Sequence, residues 1–171
     1  MHESEASIRG KVMRDLIAHA SHDNLIGRKL KSGELRKKIG EVEPPWKCPD
    51  CFKLTEISME QFQMELLEQK ENPNTDKIIL QLHGGGYVGA MRNAYRMFAG
   101  LYSEVSHGMS VLTIDYRVAP ENPYPAALED AVAAYRWLLE QGWFSEQIIV
   151  AGDSAGGGLA MALCHYLKDH G

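Results

Sequence analysis

Cysteine is scarce, three among 171 residues, and that excludes the disulfide framework on which small secreted domains depend. Positive charge is in deficit too, with 18 Lys and Arg against 23 Asp and Glu and a formal net charge of -5. The one basic run, Arg28 to Lys38, has no aromatic residues interleaved to stack on bases, so it reads as a solvated helix face and no nucleic-acid partner is expected. No apolar stretch approaches the ~18 residues that span a bilayer, which argues against stable membrane insertion. The start, Met1-His2-Glu3-Ser4-Glu5, is acidic and lacks the apolar core of a signal peptide. Together these absences point to the cytoplasm. Metal ligands are equally sparse. Cys48-Pro49-Asp50-Cys51 fits C-x-x-C, but the third cysteine is distant at Cys164, and zinc needs four ligands. The pair also follows prolines rather than opening a helix after a strand, as a redox motif would. Two free thiols in a loop are expected, with no metal and no cofactor.

What is present suffices for one domain, since 44% of the residues are hydrophobic and a chain of this length can bury a core. Ser7 could cap a helix whose apolar residues Ile8, Val12, Met13, Leu16, Ile17 and Ala20 share a face. A basic helix from Arg28 to Ile39 follows, ends at Gly40, and gives way to the connector Glu43-Pro44-Pro45. Residues 1–45 therefore read as a helical appendage and 46–171 as the core.

From Phe52 to Met59 the apolar positions alternate but change phase between Leu54 and Ile57, which suggests a bulged strand. Phe62, Met64 and Leu66 alternate with polar neighbours and predict its partner. After the turn Asn72-Pro73-Asn74, Lys77 to Leu82 reads as a buried strand. A helix from about Asn93 presents Phe98, Leu101, Tyr102 and Val105, ending at Gly108. Val111 to Asp115 is a strand; a proline-punctuated loop leads to a second helix at Pro125, with Leu128, Val132, Tyr135 and Leu139 as its buried stripe and Gly142 as its end. Strand and helix then alternate once more, and three such repeats indicate α/β architecture with a parallel sheet.

The last repeat carries the sharpest signal. Ile148-Ile149-Val150-Ala151 runs into Gly152-Asp153-Ser154-Ala155-Gly156, which fits G-x-S-x-G, and reopens as a helix with Leu159, Leu163, Tyr166 and Leu167 on one face. In a nucleophile elbow the chain turns sharply from strand to helix and holds the serine at the apex, clear of its backbone. Flanking glycines remove the Cβ atoms that would collide, and the positive end of the helix favours developing negative charge.

The loop after Leu82 admits two readings. Gly84-Gly85-Gly86-Tyr87-Val88-Gly89 satisfies G-x-G-x-x-G between a strand and a helix, and Asp115 ends the next strand where a dinucleotide fold places its ribose carboxylate. Alternatively, His83-Gly84-Gly85-Gly86 is the H-G-G-G element whose backbone N–H groups face an oxyanion. The loop alone does not choose between them. The elbow favours the second, because ester hydrolysis needs both parts at neighbouring strand ends and a dinucleotide site needs no exposed serine.

His83-Gly84-Gly85-Gly86, the block from Tyr116 to Glu121, the block from Pro125 to Asp130 and Gly152-Asp153-Ser154-Ala155-Gly156-Gly157 resemble, in order, the hormone-sensitive-lipase-like branch of the α/β-hydrolase family. The resemblance extends from about Lys77 to the C-terminus. It implies an α/β-hydrolase fold and a carboxylesterase acting on a small acyl-ester substrate through an acyl-enzyme. It implies Ser154 as nucleophile and the N–H groups of Gly85, Gly86 and Ala155 as oxyanion hole. His83, Gly84, Gly152, Asp153 and Gly156 would support the motifs, and the N-terminal helices would form part of a cap.

In that fold the acid and base follow the serine, and only seventeen residues follow Ser154 here. His165, Asp169 and His170 lie on the helix leaving the elbow; His165 is eleven residues along, ~16 Å at the α-helical rise. The expectation is a fold truncated after the elbow helix, inactive alone, with the elbow strand at an open edge and a second copy or a complementing C-terminal fragment as partner. A non-catalytic binding protein on the same fold is the alternative, and a dinucleotide-dependent oxidoreductase a further one. An open, apolar strand edge invites pairing between chains. The purified chain is therefore expected to aggregate or self-associate in light scattering, and a clean monomer at ~100 μM would count against it.

Overall fold

The run Ile78-Ile79-Leu80-Gln81-Leu82 is apolar but for Gln81, and every one of these residues is at most 5% exposed. They form the C-terminal half of the central strand in a computed structural model that describes Val12, Glu43 and residues 45–170. The chain divides into two units, Met1–Glu41 and Val42–Gly171. The elements below lie in the second; all but Val12 of the helices expected at Ser7–Ala20 and Arg28–Ile39 falls outside the described residues.

Strands β1 (Phe52–Ser58), β2 (Gln63–Gln69), β3 (Asn74–Leu82), β4 (Met109–Asp115) and β5 (Ile148–Gly152) make one sheet in the order β1-β2-β4-β3-β5. β1 pairs antiparallel with β2 and β2 with β4, while β4, β3 and β5 run parallel. Helices α1 (Asn93–Val105), α2 (Ala126–Glu140) and α3 (Ala155–His170) follow the three parallel strands in turn. The α/β architecture expected from the alternation is present, and β5 is the outer strand among those described. None of the described helices is long and apolar enough to cross a membrane.

Both faces of the sheet are covered. Ile78, Leu80, Leu82, Leu112 and Ile114 pack with Ala131, Ala134 and Leu138 of α2 and Leu159 and Leu163 of α3. On the other face Ile79, Val111, Leu67 and Phe52 pack around Ala99 of α1. Gln81 shares that second face, where its amide donates to the Tyr95 carbonyl (3.0 Å) and accepts from the Thr113 hydroxyl (3.4 Å). A buried amide so satisfied escapes the desolvation penalty of an unpaired one.

Two-sided covering also removes the expected bulge. The β1–β2 register is unbroken from Phe52↔Gln69 to Ser58↔Gln63. The phase change arises because Leu54 packs with the α1 cluster and Ile57 with the α2–α3 cluster. Two helix faces differ from expectation as well. α1 buries Tyr95, Ala99 and Ser103 and leaves Phe98, Leu101 and Val105 exposed, and Leu139 of α2 is exposed too. Small residues lie at the contact because a helix seated closely on a sheet has no room there for Phe or Leu. α2 ends as expected at Gly142 (φ 95°), with Trp143 N–H donating to Leu138 O (3.1 Å) and Gly142 N–H to Leu139 O (3.0 Å), a Schellman closure.

The tightest packing is between backbones. A Cβ on Gly156 would lie 2.1 Å from Leu82 O and 2.6 Å from His83 O, whereas one on Gly142 would meet nothing within 4 Å. Gly156→Ala must push α3 off β3 and is expected to cost ~3 kcal/mol or more in urea unfolding. Gly142→Ala carries only its left-handed backbone penalty, about 1–2 kcal/mol.

Candidate active site

Leu82 and Gly152 are register partners at the carboxyl ends of adjacent parallel strands, so the loops that leave them emerge side by side. β3 is also where the sheet's connections diverge, with β4 on one side and β5 on the other. Such a switch point opens a crevice beyond the strand ends.

From β5 the chain reverses within two residues. Ser154 has φ 50°, the left-handed region that costs a residue with a side chain about 1–2 kcal/mol. The carbonyl of Ser154 accepts from Gly158 N–H (3.1 Å), closing the first turn of α3 and directing the helix's positive end toward the crevice. The turn is possible because a Cβ on Gly152 would lie 2.4 Å from Gly156 O. Ser154 is exposed and Ala155 half-buried.

From β3 the chain enters the glycine loop. His83 and Gly84 are buried, while Gly85 (φ 126°) and Gly86 (φ 64°) are exposed. Gly85 O accepts from both Val88 N–H (3.1 Å) and Gly89 N–H (2.9 Å). With its carbonyls folded into this turn, the loop can turn N–H groups outward, the polarity that an anionic oxygen requires. The two loops are fastened together: Gly84 N–H donates to Asp153 Oδ1 (3.1 Å), and a Cβ on Gly84 would lie 2.5 Å from Asp153 Oδ2. The structure thus brings Gly84 against Asp153 and His83 against Gly156, and the loops that carry Gly85 and Gly86 on one side and Ser154 and Ala155 on the other leave neighbouring strand ends.

His83 is fully buried and stacks on Tyr116, with ring centroids 4.0 Å apart and 6° between planes. Its Nδ1 lies 2.8 Å from Gly84 O; a carbonyl can only accept, so Nδ1 carries the proton of the neutral ring. Nε2 has no hydrogen-bond partner and stands 3.7 Å from Asp115 Oδ1. Burial holds the imidazole pKa below its ordinary value, outweighing the opposing pull of the Gly84 carbonyl, Asp115 and Asp153. His83 is therefore neutral near pH 7, and its contact with Asp115 is no ion pair there.

Residues after β4 matter more than their motif alone indicates. Tyr116 O–H donates to His83 O (2.5 Å), and burial raises its phenol pKa. Ala119 N–H donates to Tyr87 O (2.8 Å). Asp115 Oδ1 accepts from Met91 N–H (2.9 Å), so this carboxylate is engaged by the glycine loop itself. Arg117 is held by Asp130, which accepts from its backbone N–H (2.8 Å) and its guanidinium (2.7 Å). The available sequence signal was the charge or hydroxyl at the end of an apolar strand, which carries no direction.

A mostly apolar cavity of about 300 Å³ opens beside Tyr87, lined also by Ala119, Leu128, Leu159 and Ala162. A wider groove of about 580 Å³ runs along α2 past Trp137 and Arg136 and includes no residue of the two loops. The downstream candidates lie elsewhere. His165 and Asp169 are exposed, 4.0 Å apart on α3, and His170 Nδ1 is 2.9 Å from Tyr166 O. Cys48 and Cys51 are free thiols around the turn before β1.

The profile of a family described as alpha/beta hydrolase fold matches residues 79–171. An acetyl-hydrolase of Streptomyces hygroscopicus is 46% identical over 95 residues, 56% of this chain and 31% of that protein. The hormone-sensitive lipase of Bos taurus is 34% identical over 101 residues, 57% of this chain and 13% of that one. Among solved structures, EstE5 soaked with p-nitrophenyl butyrate superimposes with TM-score 0.70 at 40% identity, covering 80% of this chain and 45% of its own. An esterase from the bacterial hormone-sensitive lipase family gives TM-score 0.66 at 36% identity, covering 81% and 45%. The chain thus spans about a third of the acetyl-hydrolase and under half of each of these structures.

The protonation state of His83 has a measurable consequence. Its pKa is lower in the native protein than in the unfolded chain, so as pH falls the unfolded chain takes up the proton first. Stability from this group is complete above about pH 6.5 and declines as pH falls below it. In urea titrations between pH 6.5 and 5 the loss should approach ~1.4 kcal/mol per pH unit at most, and His83→Phe should flatten that slope.

Proposed function

Because the chain belongs to the α/β-hydrolase family, in its hormone-sensitive-lipase-like branch, we propose that it carries the nucleophile and oxyanion half of a serine carboxylesterase. The observation that carries this reading is the left-handed Ser154 at the head of α3, fastened beside the glycine loop by the Asp153–Gly84 bond. Esterases and an acetyl-hydrolase among its relatives support an ester as substrate, and the small apolar cavity beside Tyr87 supports a short acyl group.

In this reading Ser154 Oγ attacks the ester carbonyl. The carbonyl oxygen becomes anionic against the N–H groups of Gly85, Gly86 and Ala155, each worth ~3 kcal/mol in such sites. Collapse expels the alcohol and leaves an acyl-enzyme, which water then hydrolyses. His83 shapes the loop and transfers no proton.

A serine hydroxyl also needs a base to take its proton as it attacks. His165 is too far along α3 and His83 is turned to Gly84 O. We therefore read the 171-residue chain as a poor catalyst by itself, to be completed by a segment bearing a carboxylate and an imidazole. We further assign residues 1–45 to a helical cap segment, and place the protein in the cytoplasm on the strength of its free thiols. A second reading is a binding protein on the same fold that keeps the apolar cavity beside Tyr87 without turnover.

A fluorophosphonate discriminates between them. Ser154 Oγ bonds to phosphorus, the P–F bond breaks, fluoride leaves and the proton passes to buffer. Peptide mapping should place the adduct on Ser154 and find none in Ser154→Ala. Ser154-dependent hydrolysis of p-nitrophenyl acetate should run at least ~10²-fold below that of an esterase with a complete triad. An adduct elsewhere, or hydrolysis unchanged in Ser154→Ala, would refute the esterase reading.

A further inference from the structure

Resting on that reading, we infer that Asp115 is a positioning residue, fixing the oxyanion loop at its far end through Met91 and facing the bare Nε2 of His83. The loop between β3 and α1 is tied at its start, where Gly84 N–H reaches Asp153 and His83 O receives the Tyr116 hydroxyl. Its middle is tied by Ala119 N–H to Tyr87 O. Its end is tied by Met91 N–H to Asp115 Oδ1 at 2.9 Å, two residues before α1 begins at Asn93.

Inside those ties, the 85–89 turn is a small rigid body, closed by two bonds to Gly85 O. Without Asp115 that body keeps its ties at Gly84 and Tyr87 but loses the one beyond residue 89. Hinging about the two that remain would shift the Gly85 and Gly86 N–H groups relative to Ser154. Displacements of ~1 Å at a reacting centre cost on the order of 10²-fold in rate.

The second contact of Asp115 gives the inference a distinctive signature. His83 Nε2 is buried, lacks a hydrogen and a hydrogen-bond partner, and has a carboxylate oxygen 3.7 Å away. Two acceptors face each other. Met91 N–H and Nε2 approach the same oxygen, Oδ1, so Asp115→Asn keeps the acceptor for Met91 N–H while removing the charge that faces Nε2, whereas Asp115→Ala removes both.

Three variants and three readouts test this. Amide hydrogen exchange across 84–88 should accelerate at least ~10-fold in Asp115→Ala and stay near wild type in Asp115→Asn, with β3 and β4 core amides unchanged in both. The ¹⁵N-detected titration of His83 should move to lower pH in Asp115→Asn, because the carboxylate 3.7 Å from Nε2 loses its charge, a change that a purely structural role would not produce. Phosphonylation of Ser154 should slow ~10²-fold in Asp115→Ala and recover in Asp115→Asn. Ser154→Ala serves as the blank for that rate. Exchange and phosphonylation unaffected in Asp115→Ala would overturn the inference, as would an Asp115→Asn variant indistinguishable from Asp115→Ala. If Asp115→Ala does not fold, the ¹⁵N-detected titration in Asp115→Asn decides alone. If wild-type Ser154 takes no phosphonate, the missing base and not Asp115 accounts for it, and loop exchange still tests Asp115.

Discussion

Gly156 rests against the carbonyl of Leu82 with no side chain between them, and the geometry of the crevice depends on that contact. It sets the height of α3 over β3. It also sets where the first turn of the helix, and hence Ser154, stands relative to the glycine loop. Gly152, against Gly156 O, lets the strand reverse fast enough to reach that position. Steric exclusion of this kind acts at every temperature and ionic strength, which polar ties at the surface do not.

Outward from that contact, the blocks that looked like separate signatures form one bracket. Asp153 grips Gly84; Tyr116 and Ala119 grip His83 and Tyr87; Asp130 grips Arg117. Each tie joins one block to another, and none depends on the exposed side of a helix. Removing one strut would loosen the glycine loop more than it would melt the sheet.

Much of this was legible before any coordinates. The alternation of elements, the elbow and the glycine loop could be read because their signals are local: an apolar run, a turn, a glycine where no Cβ fits. The helix faces were less legible. Phe98 and Leu101 outweigh Ala99 and Ser103 on any hydrophobic count, yet the latter pair face the sheet. Close approach is decided by what is small at one contact, and periodicity weighs what is greasy over a whole turn. The bulge expected in β1 failed for a related reason, since alternation presumes one dry face and this sheet has two. The role of Asp115 was illegible because a carboxylate at a strand end fits a ribose and a loop amide equally well.

Leu82 and Gly152 stand opposite each other on neighbouring strands, and their separation is the lateral repeat of the pleated backbone, about 4.8 Å. The gauge between the turn that carries Ser154 and the glycine loop across from it is therefore inherited from main-chain geometry common to every parallel sheet. Side chains can tilt or shield the crevice, but its basic ruler is written in the peptide unit. Substitution along the strands can accumulate without rescaling it.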